Sequence, residues 1–164
     1  MVDFFSHALW AFALFHNQPN AWMYAAFAVL PDFLFSLPAI FVFTTKGISP
    51  RHMRWRGAGA SVPPEFGAVI TAYHLSHSWL IMGLASWVVA LLFPALTAPF
   101  FCGVFLHLAM DLFVHKDSVA GQMPLYPLSK RRVAGFFHWS NRKFMILNFA
   151  LLALAYAGIL LRIW

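Results

Sequence analysis

Long apolar runs alternate with short polar stretches along the chain. A helix needs about 20 apolar residues to cross the roughly 30 Å hydrocarbon core of a bilayer. Four runs approach or exceed that length, and a shorter one precedes them. In chain order, the five runs span residues 4–15, 21–43, 66–93, 100–115 and 144–161. This pattern predicts an all-α integral membrane helical bundle with about five membrane segments.

Proline residues interrupt the second of these runs. It contains Pro31-Asp32 and Pro38, and a proline inside a helix removes a hydrogen bond and clashes with the preceding turn. We therefore expect the second segment to be broken near Pro31. The third run, 66–93, is longer than one crossing requires, so we expect its start to project from the bilayer.

The composition favours a membrane protein over a soluble helical protein. Hydrophobic residues make up 62% of the 164 residues and charged residues only 10%, against about 45–50% and about 25% in soluble domains. A soluble protein of this size cannot hide so many apolar side chains in one core. We therefore expect a single transmembrane domain over residues 1–164.

The positive charges lie between the apolar runs. The net charge is +6, and most Lys and Arg residues fall in two loops, 44–64 and 116–141. Basic loops typically remain in the cytoplasm, so this distribution predicts a multi-pass topology with a cytoplasmic N-terminus and two cytoplasmic loops. We expect no nucleic-acid partner. The first residues carry no basic stretch, so we expect no cleaved signal peptide.

Ionisable residues inside the apolar runs are the candidates for function. A charge within the bilayer is costly and usually has a functional reason. Of the five acidic residues in the chain, Asp32 and Asp111 lie inside apolar runs. Several histidines lie in or beside such runs as well, namely His7, His74, His77, His107 and His115.

The spacing of these residues predicts a metal site. His107, Asp111 and His115 are four residues apart and share one helix face, and His74 and His77 are three apart. Imidazole and carboxylate groups on converging helices are the ligands of Zn²⁺ and similar divalent ions. We expect zinc, or alternatively manganese, at a site formed by five residues: His7, Asp32, His77, His107 and Asp111.

Simpler roles exist for the same side chains. A single histidine inside a membrane commonly hydrogen-bonds a neighbouring helix, and Asp111 could cap a helix end or pair with Lys116. The number of such groups, on four different segments at a similar depth, favours the metal site over these interpretations.

The same residues carry a resemblance to a known family. The chain resembles the YdjM-like family of small bacterial inner-membrane proteins, which are described as membrane-bound metal-dependent hydrolases. The shared motifs are an early His, a Pro-Asp, a His between small polar residues, a His-x-x-x-Asp and a Pro-Leu-Tyr-Pro. Here they are His7, Pro31-Asp32, Ser76-His77-Ser78, His107 to Asp111 and Pro124 to Pro127.

The resemblance implies a metal-dependent hydrolase in the inner, or cytoplasmic, membrane of a bacterium. Two positions depart from the pattern of many members. Leu34 stands where a second acid is common, which leaves the number of metal ions open, and Tyr73-His74-Leu75 stands where a His-Arg pair is common.

Our first hypothesis is a hydrolase that acts on a lipid or another amphiphilic phosphoester or ester at the cytoplasmic side. Asp32 and His74 would be catalytic, and His115 would orient a ligand or carry a proton. The basic triplet at 130–132 would bind an anionic headgroup. These three residues are Lys130, Arg131 and Arg132.

Two other hypotheses remain open. The chain could be a non-enzymatic small subunit of a larger membrane complex, in which the His/Asp site is structural. It could also bind haem b between two helices, with His74 or His77 opposite His107. In each case membrane lipids are the expected surroundings.

Overall fold

The computed structural model describes residues 4–47, 64–116, 121–138 and 141–163. Within them the regular structure is helical, with no strand beyond two isolated bridges, so the all-α prediction is confirmed. Two short 3-10 turns precede α4 and α6. The helices are α1 (Phe4–Phe15), α2 (Ala21–Ala28), α3 (Leu30–Lys46), α4 (Gly67–Ser76), α5 (Trp79–Leu92), α6 (Thr97–Val114) and α7 (Arg142–Leu160).

The break predicted near Pro31 lies two residues earlier, at Val29. Helices α2 and α3 meet there at an angle of 42°. Pro31 falls in the first turn of α3, where a proline is tolerated because the N–H groups of that turn have no partner within the helix. The proline therefore begins the second helix instead of kinking a continuous one.

The third run, 66–93, whose start we expected to project from the bilayer, is instead divided by a second break. Helices α4 and α5 meet at 60°, and His77 and Ser78 form the junction between them. Ser78 has an extended backbone, and its hydroxyl accepts a hydrogen bond from the N–H of Ile81. A side chain that caps the first turn in this way favours the start of a new helix, here α5. The beginning of run 66–93 is therefore a separate short helix, α4.

By length and composition, two helices can each cross a bilayer, and up to four crossings result if each bent pair forms one. The two single helices are Pro94–Val114, which adds the preceding 3-10 turn to α6, and α7. Helix α1 has 12 residues and is about 18 Å long, which is short of the roughly 30 Å core. Most of the predicted loop 44–64 lies outside the described residues.

Helix α6 is the centre of the bundle, with α2 and α5 packed along it. A core cluster of Met82, Phe100, Val104 and Leu108 joins α5 to α6. On the other side, α2 approaches α6 closely at Gly103, where a Cβ atom would lie 2.6 Å from the carbonyl oxygen of Tyr24. The outer faces carry large exposed apolar side chains such as Trp87 and Leu154, which suit a lipid environment.

Residues 121–138, which we call the capping segment, have no helical structure and fold back onto the bundle. The Ser78 hydroxyl lies within hydrogen-bond distance of the carbonyl oxygens of Pro124 and Tyr126, at 3.1 and 2.8 Å. The Gln122 amide donates to the carbonyl of Leu108 at 2.8 Å. The capping segment therefore joins the α4–α5 junction to α6.

Candidate metal centre

The two helix breaks and α6 bring five buried side chains to one place. His7 comes from α1, Asp32 from the first turn of α3, His77 from the α4–α5 junction, and His107 and Asp111 from α6. None of the five is more than 5% exposed. These are the five residues that the sequence selects as metal ligands, and together we call them the His/Asp cluster.

The donor atoms of the cluster lie 3.2 to 3.6 Å apart. Nε2 of His77 is 3.2 Å from Nε2 of His107 and 3.5 Å from an oxygen of Asp111, and His107 Nε2 is 3.6 Å from that oxygen. Asp32 lies 3.5 Å from His77 Nε2, and His7 Nε2 lies 3.3 Å from the other oxygen of Asp111. Zinc with ligands at about 2.05 Å in tetrahedral geometry separates ligand atoms by about 3.3 Å.

Hydrogen bonds fix which nitrogen of each central histidine carries the proton. Nδ1 of His107 is 2.7 Å from the carbonyl oxygen of Ala28, and Nδ1 of His77 is 3.0 Å from that of Tyr73. A carbonyl oxygen only accepts, so both Nδ1 atoms are donors. In the neutral rings, both Nε2 atoms therefore carry lone pairs, and these face each other across 3.2 Å. A cation between the two nitrogens removes that repulsion.

The charge of the cluster also favours a bound cation. Asp32 and Asp111 are both buried, and a buried carboxylate is costly unless it is paired with a cation. The ion-pair contacts of Asp111 are four histidines, His7, His77, His107 and His115. Neutral imidazoles do not balance two negative charges, whereas one divalent ion does.

Two sets of three residues satisfy the distances of a metal site. The first set is His7, Asp32 and His107, and the second is His77, His107 and Asp111. His107 belongs to both sets, so it is the central donor. The donor chemistry, the burial and the spacing fit a divalent transition metal such as zinc.

The backbone near His107 explains how α6 and α2 place this donor. Ala28 is the last residue of α2, and carbonyl groups at a helix end lack partners within the helix. The Ala28 carbonyl therefore accepts from His107 instead. This contact requires the close approach of α2 to α6 that Gly103 permits, because a Cβ there would also lie 3.0 Å from the Ala28 nitrogen.

His115 lies beside the cluster, one turn beyond Asp111. Its Nδ1 donates to the backbone carbonyl of Asp111 at 3.0 Å and is 3.7 Å from the Asp111 carboxylate. That His115 orients a ligand stays a prediction. His74 is buried on α4, but it is in neither set of metal donors. Its ring lies 5.5 Å from the ring of Tyr126 in the capping segment.

The basic triplet lies on the exposed surface of the capping segment. Its members are Lys130, Arg131 and Arg132.

Sequence reasoning did not find several residues that support the site. Tyr73 stacks on His77 with ring centroids 4.1 Å apart, and the Ser76 hydroxyl is 2.9 Å from His77 Nδ1. Gln122 anchors the capping segment while only 1% exposed. A glutamine within an irregular, otherwise apolar stretch carries no spacing signal, so only the fold identifies its partners.

The arrangement argues against haem between His77 and His107. Axial ligands of a haem lie on opposite faces of the macrocycle. The Nε2 atoms of these two rings are 3.2 Å apart, with ring centroids at 5.1 Å, so no space remains for a porphyrin between them.

Comparison of the chain with family models, with curated protein sequences and with solved structures finds no match.

Proposed function

We propose that this chain is an integral membrane metal-dependent hydrolase that acts on a lipid or another amphiphilic phosphoester or ester at the cytoplasmic side. The observation that carries this proposal is the pair of Nε2 lone pairs on His77 and His107, which face each other beside the Asp111 carboxylate. The resemblance to the YdjM-like family supports the same class of activity. Zinc is the proposed ion, with manganese as the alternative.

A catalytic zinc takes three protein ligands and one water, so two of the five donors are available for other roles. His77, His107 and Asp111 would hold the ion, and His7 would contact the other oxygen of Asp111. A bound ion supplies a Lewis acid and an activated water. Asp32 would orient a water and accept a proton from it, because its side chain is 8% exposed, the most of the five.

The remaining candidates lie around this centre. His115 holds Asp111 in place through the backbone carbonyl of that residue, and His74 is the proposed proton donor towards the leaving group. The basic triplet 130–132 lies on the capping segment, where its charges attract an anionic headgroup from the membrane surface.

The proposed topology has five membrane segments, with α1 as a short one and each bent pair as one crossing. The N-terminus and the loops 44–64 and 116–141 then lie in the cytoplasm of a bacterial cell, in the inner membrane. The Lys and Arg residues of these loops support this orientation, and Lys116 and the basic triplet are exposed.

Exchange of each carboxylate for an amide tests the roles of the two acids. Asp32→Asn is expected to keep about one metal ion per chain and to lose at least about 100-fold in headgroup release from mixed phospholipid micelles, because the amide cannot accept a proton. Asp111→Asn, the matched variant, is expected to lose both metal and activity. Elemental analysis measures the metal, and the amount of water-soluble headgroup released measures the activity.

The results also separate the hydrolase from the alternative function. A chain that binds metal but releases nothing from any lipid or phosphoester would favour a non-enzymatic subunit of a larger membrane complex. The near-complete burial of the His/Asp cluster is the observation that favours this second candidate, since structural sites are closed to water. A well-folded chain that takes up no metal contradicts both.

A further inference from the structure

His74 has a buried nitrogen that no group of the described residues satisfies. The residue is 5% exposed, and its Nδ1 atom has no hydrogen-bond partner within the part of the chain that the structure describes. Its ring lies between Tyr73 of its own helix and Tyr126 of the capping segment, with centroid distances of 5.5 Å to each. A buried polar atom without a partner destabilises the folded state. Such an atom therefore indicates a position where a bound ligand can form the missing hydrogen bond.

A cation of the capping segment acts on the same ring. Arg132 is the member of the basic triplet whose charge acts on His74, and His77 of the His/Asp cluster acts on His74 as well. The backbone next to Arg132 is fixed, because the N–H of Val133 donates to the carbonyl of Gln122 at 2.9 Å. Gln122 is itself bonded to α6, so Arg132 has a defined place relative to the cluster.

We propose that His74 and Arg132 form a binding site for the phosphate group of a phosphoester, between α4 and the capping segment. This inference rests on the proposed hydrolase function and narrows its substrate from esters in general to phosphoesters. The guanidinium group supplies a planar pair of N–H donors and a charge. The His74 ring supplies one further N–H donor from the interior.

The position of His74 on α4 explains why a phosphate bound there can react. His74 and His77 are three residues apart, and side chains at this spacing lie next to each other on a helix, with Cβ atoms about 5–6 Å apart. A phosphate that contacts His74 therefore lies one helical turn from a metal donor. The two other basic residues of the triplet, Lys130 and Arg131, are exposed, and their charges attract anions to the surface.

Binding of radiolabelled inorganic phosphate to the full chain in a neutral detergent tests this site. Equilibrium dialysis of the metal-loaded wild type is expected to give one saturable site per chain. Arg132→Gln is expected to weaken that binding at least about tenfold, because a charge-assisted hydrogen bond is lost. Arg131→Gln removes the same charge from the adjacent residue and is expected to change the affinity less than about twofold. Equal losses in the two variants would overturn the site, since they would indicate only general attraction to the loop.

A pair of substitutions at His74 tests the orphaned nitrogen itself. When Asn replaces His74, its amide nitrogen lies where Nδ1 of the ring was. When Gln replaces His74, its amide nitrogen lies where Nε2 of the ring was. His74→Asn is therefore expected to keep phosphate affinity within about threefold, while His74→Gln loses about tenfold. Both variants are checked for a monodisperse elution profile and for metal content, so that misfolding is not mistaken for a lost contact. Equal affinities in the two variants would overturn the role of Nδ1.

Competition identifies the source of the phosphate group. A short-chain phosphatidic acid and glycerol 3-phosphate carry the same phosphate monoester, with and without acyl chains. Stronger displacement of labelled phosphate by the lipid identifies a lipid substrate, and equal displacement identifies a water-soluble phosphoester. Failure of both to compete overturns the inference. Normal metal content without phosphate binding would contradict only this site, whereas phosphate binding without metal would contradict only the proposed hydrolase.

Discussion

Two buried polar clusters lie side by side in this bundle and begin at adjacent residues of α1. Ser6 belongs to the first, with Trp10 and Asn148, which we call the asparagine cluster. Asn148 of α7 accepts a hydrogen bond from the indole N–H of Trp10 and donates to the hydroxyl of Ser6, each at 2.9 Å. His7 belongs to the second, the His/Asp cluster.

The clusters differ in whether their own groups satisfy one another. In the asparagine cluster, neutral donors face neutral acceptors, so α7 is attached to α1 without any further component. In the His/Asp cluster, two lone pairs face each other at 3.2 Å next to two buried carboxylates. Both clusters are polar, but only the second contains buried carboxylates, whose negative charge a cation would balance. The contrast distinguishes a cluster that joins two helices from one that could hold a metal ion.

The largest effect is expected from His107→Ala, because His107 belongs to both sets of metal donors. We expect metal affinity to fall more than about 100-fold. Zinc present at about 1,000 times its dissociation constant stabilises a folded chain by about 4 kcal/mol, so zinc should raise the melting temperature of the wild type but not of this variant. Metal content and thermal unfolding with and without zinc measure the effect.

The matched substitution in the asparagine cluster is Trp10→Phe, which removes the hydrogen bond from the indole N–H and keeps an aromatic side chain. Its metal content and its response to zinc should equal those of the wild type. A zinc-induced shift that survives in His107→Ala would mean that the ion binds elsewhere, and the contrast between the clusters would fail.

A smaller effect is expected at Gly103, which supports the His/Asp cluster from outside. A Cβ there would lie 2.6 Å from the Tyr24 carbonyl and 2.9 Å from Phe27 Cβ, so Gly103→Ala forces α2 away from α6. We expect a loss of about 1–3 kcal/mol in the free energy of unfolding and weaker metal binding, because the bond from His107 to Ala28 lengthens.

Gly83→Ala is the control for this change. The nearest atom to a Cβ at Gly83 is 3.9 Å away, in the flexible ring of Phe105, so neither stability nor metal affinity should fall. Reduced stability with unchanged metal affinity in Gly103→Ala would show that the bond to Ala28 does not position His107.

The sequence was informative where a residue type conflicts with its surroundings. Asp32 and Asp111 stand out because carboxylates are rare in apolar runs, and Pro31 indicates a helix boundary by its covalent structure. Both signals are local, so they can be recognised before the fold is known.

Other features depend on contacts between distant segments, which no local pattern records. The proton positions on His77 and His107 follow from carbonyl groups of Tyr73 and Ala28, and the second of these requires α2 to pack on α6. Ser78 is the sequence feature that indicates the break between α4 and α5. Serine is also common inside membrane helices, so it does not predict a break by itself. The capping segment is held by Gln122 through partners that the fold alone brings near.

The smallest effect is expected from Asn148→Leu in the asparagine cluster. A hydrogen bond between membrane helices contributes about 0.6 kcal/mol on average, so the loss of two such bonds should cost about 1 kcal/mol, partly offset by the apolar contacts of leucine. Metal content should not change, because the His/Asp cluster receives none of its donors from α7. Hydrogen exchange of the α7 amides and elemental analysis measure the two results. Loss of metal in this variant would show that α7 positions His7 through Ser6, and the two clusters would then be one cooperative unit.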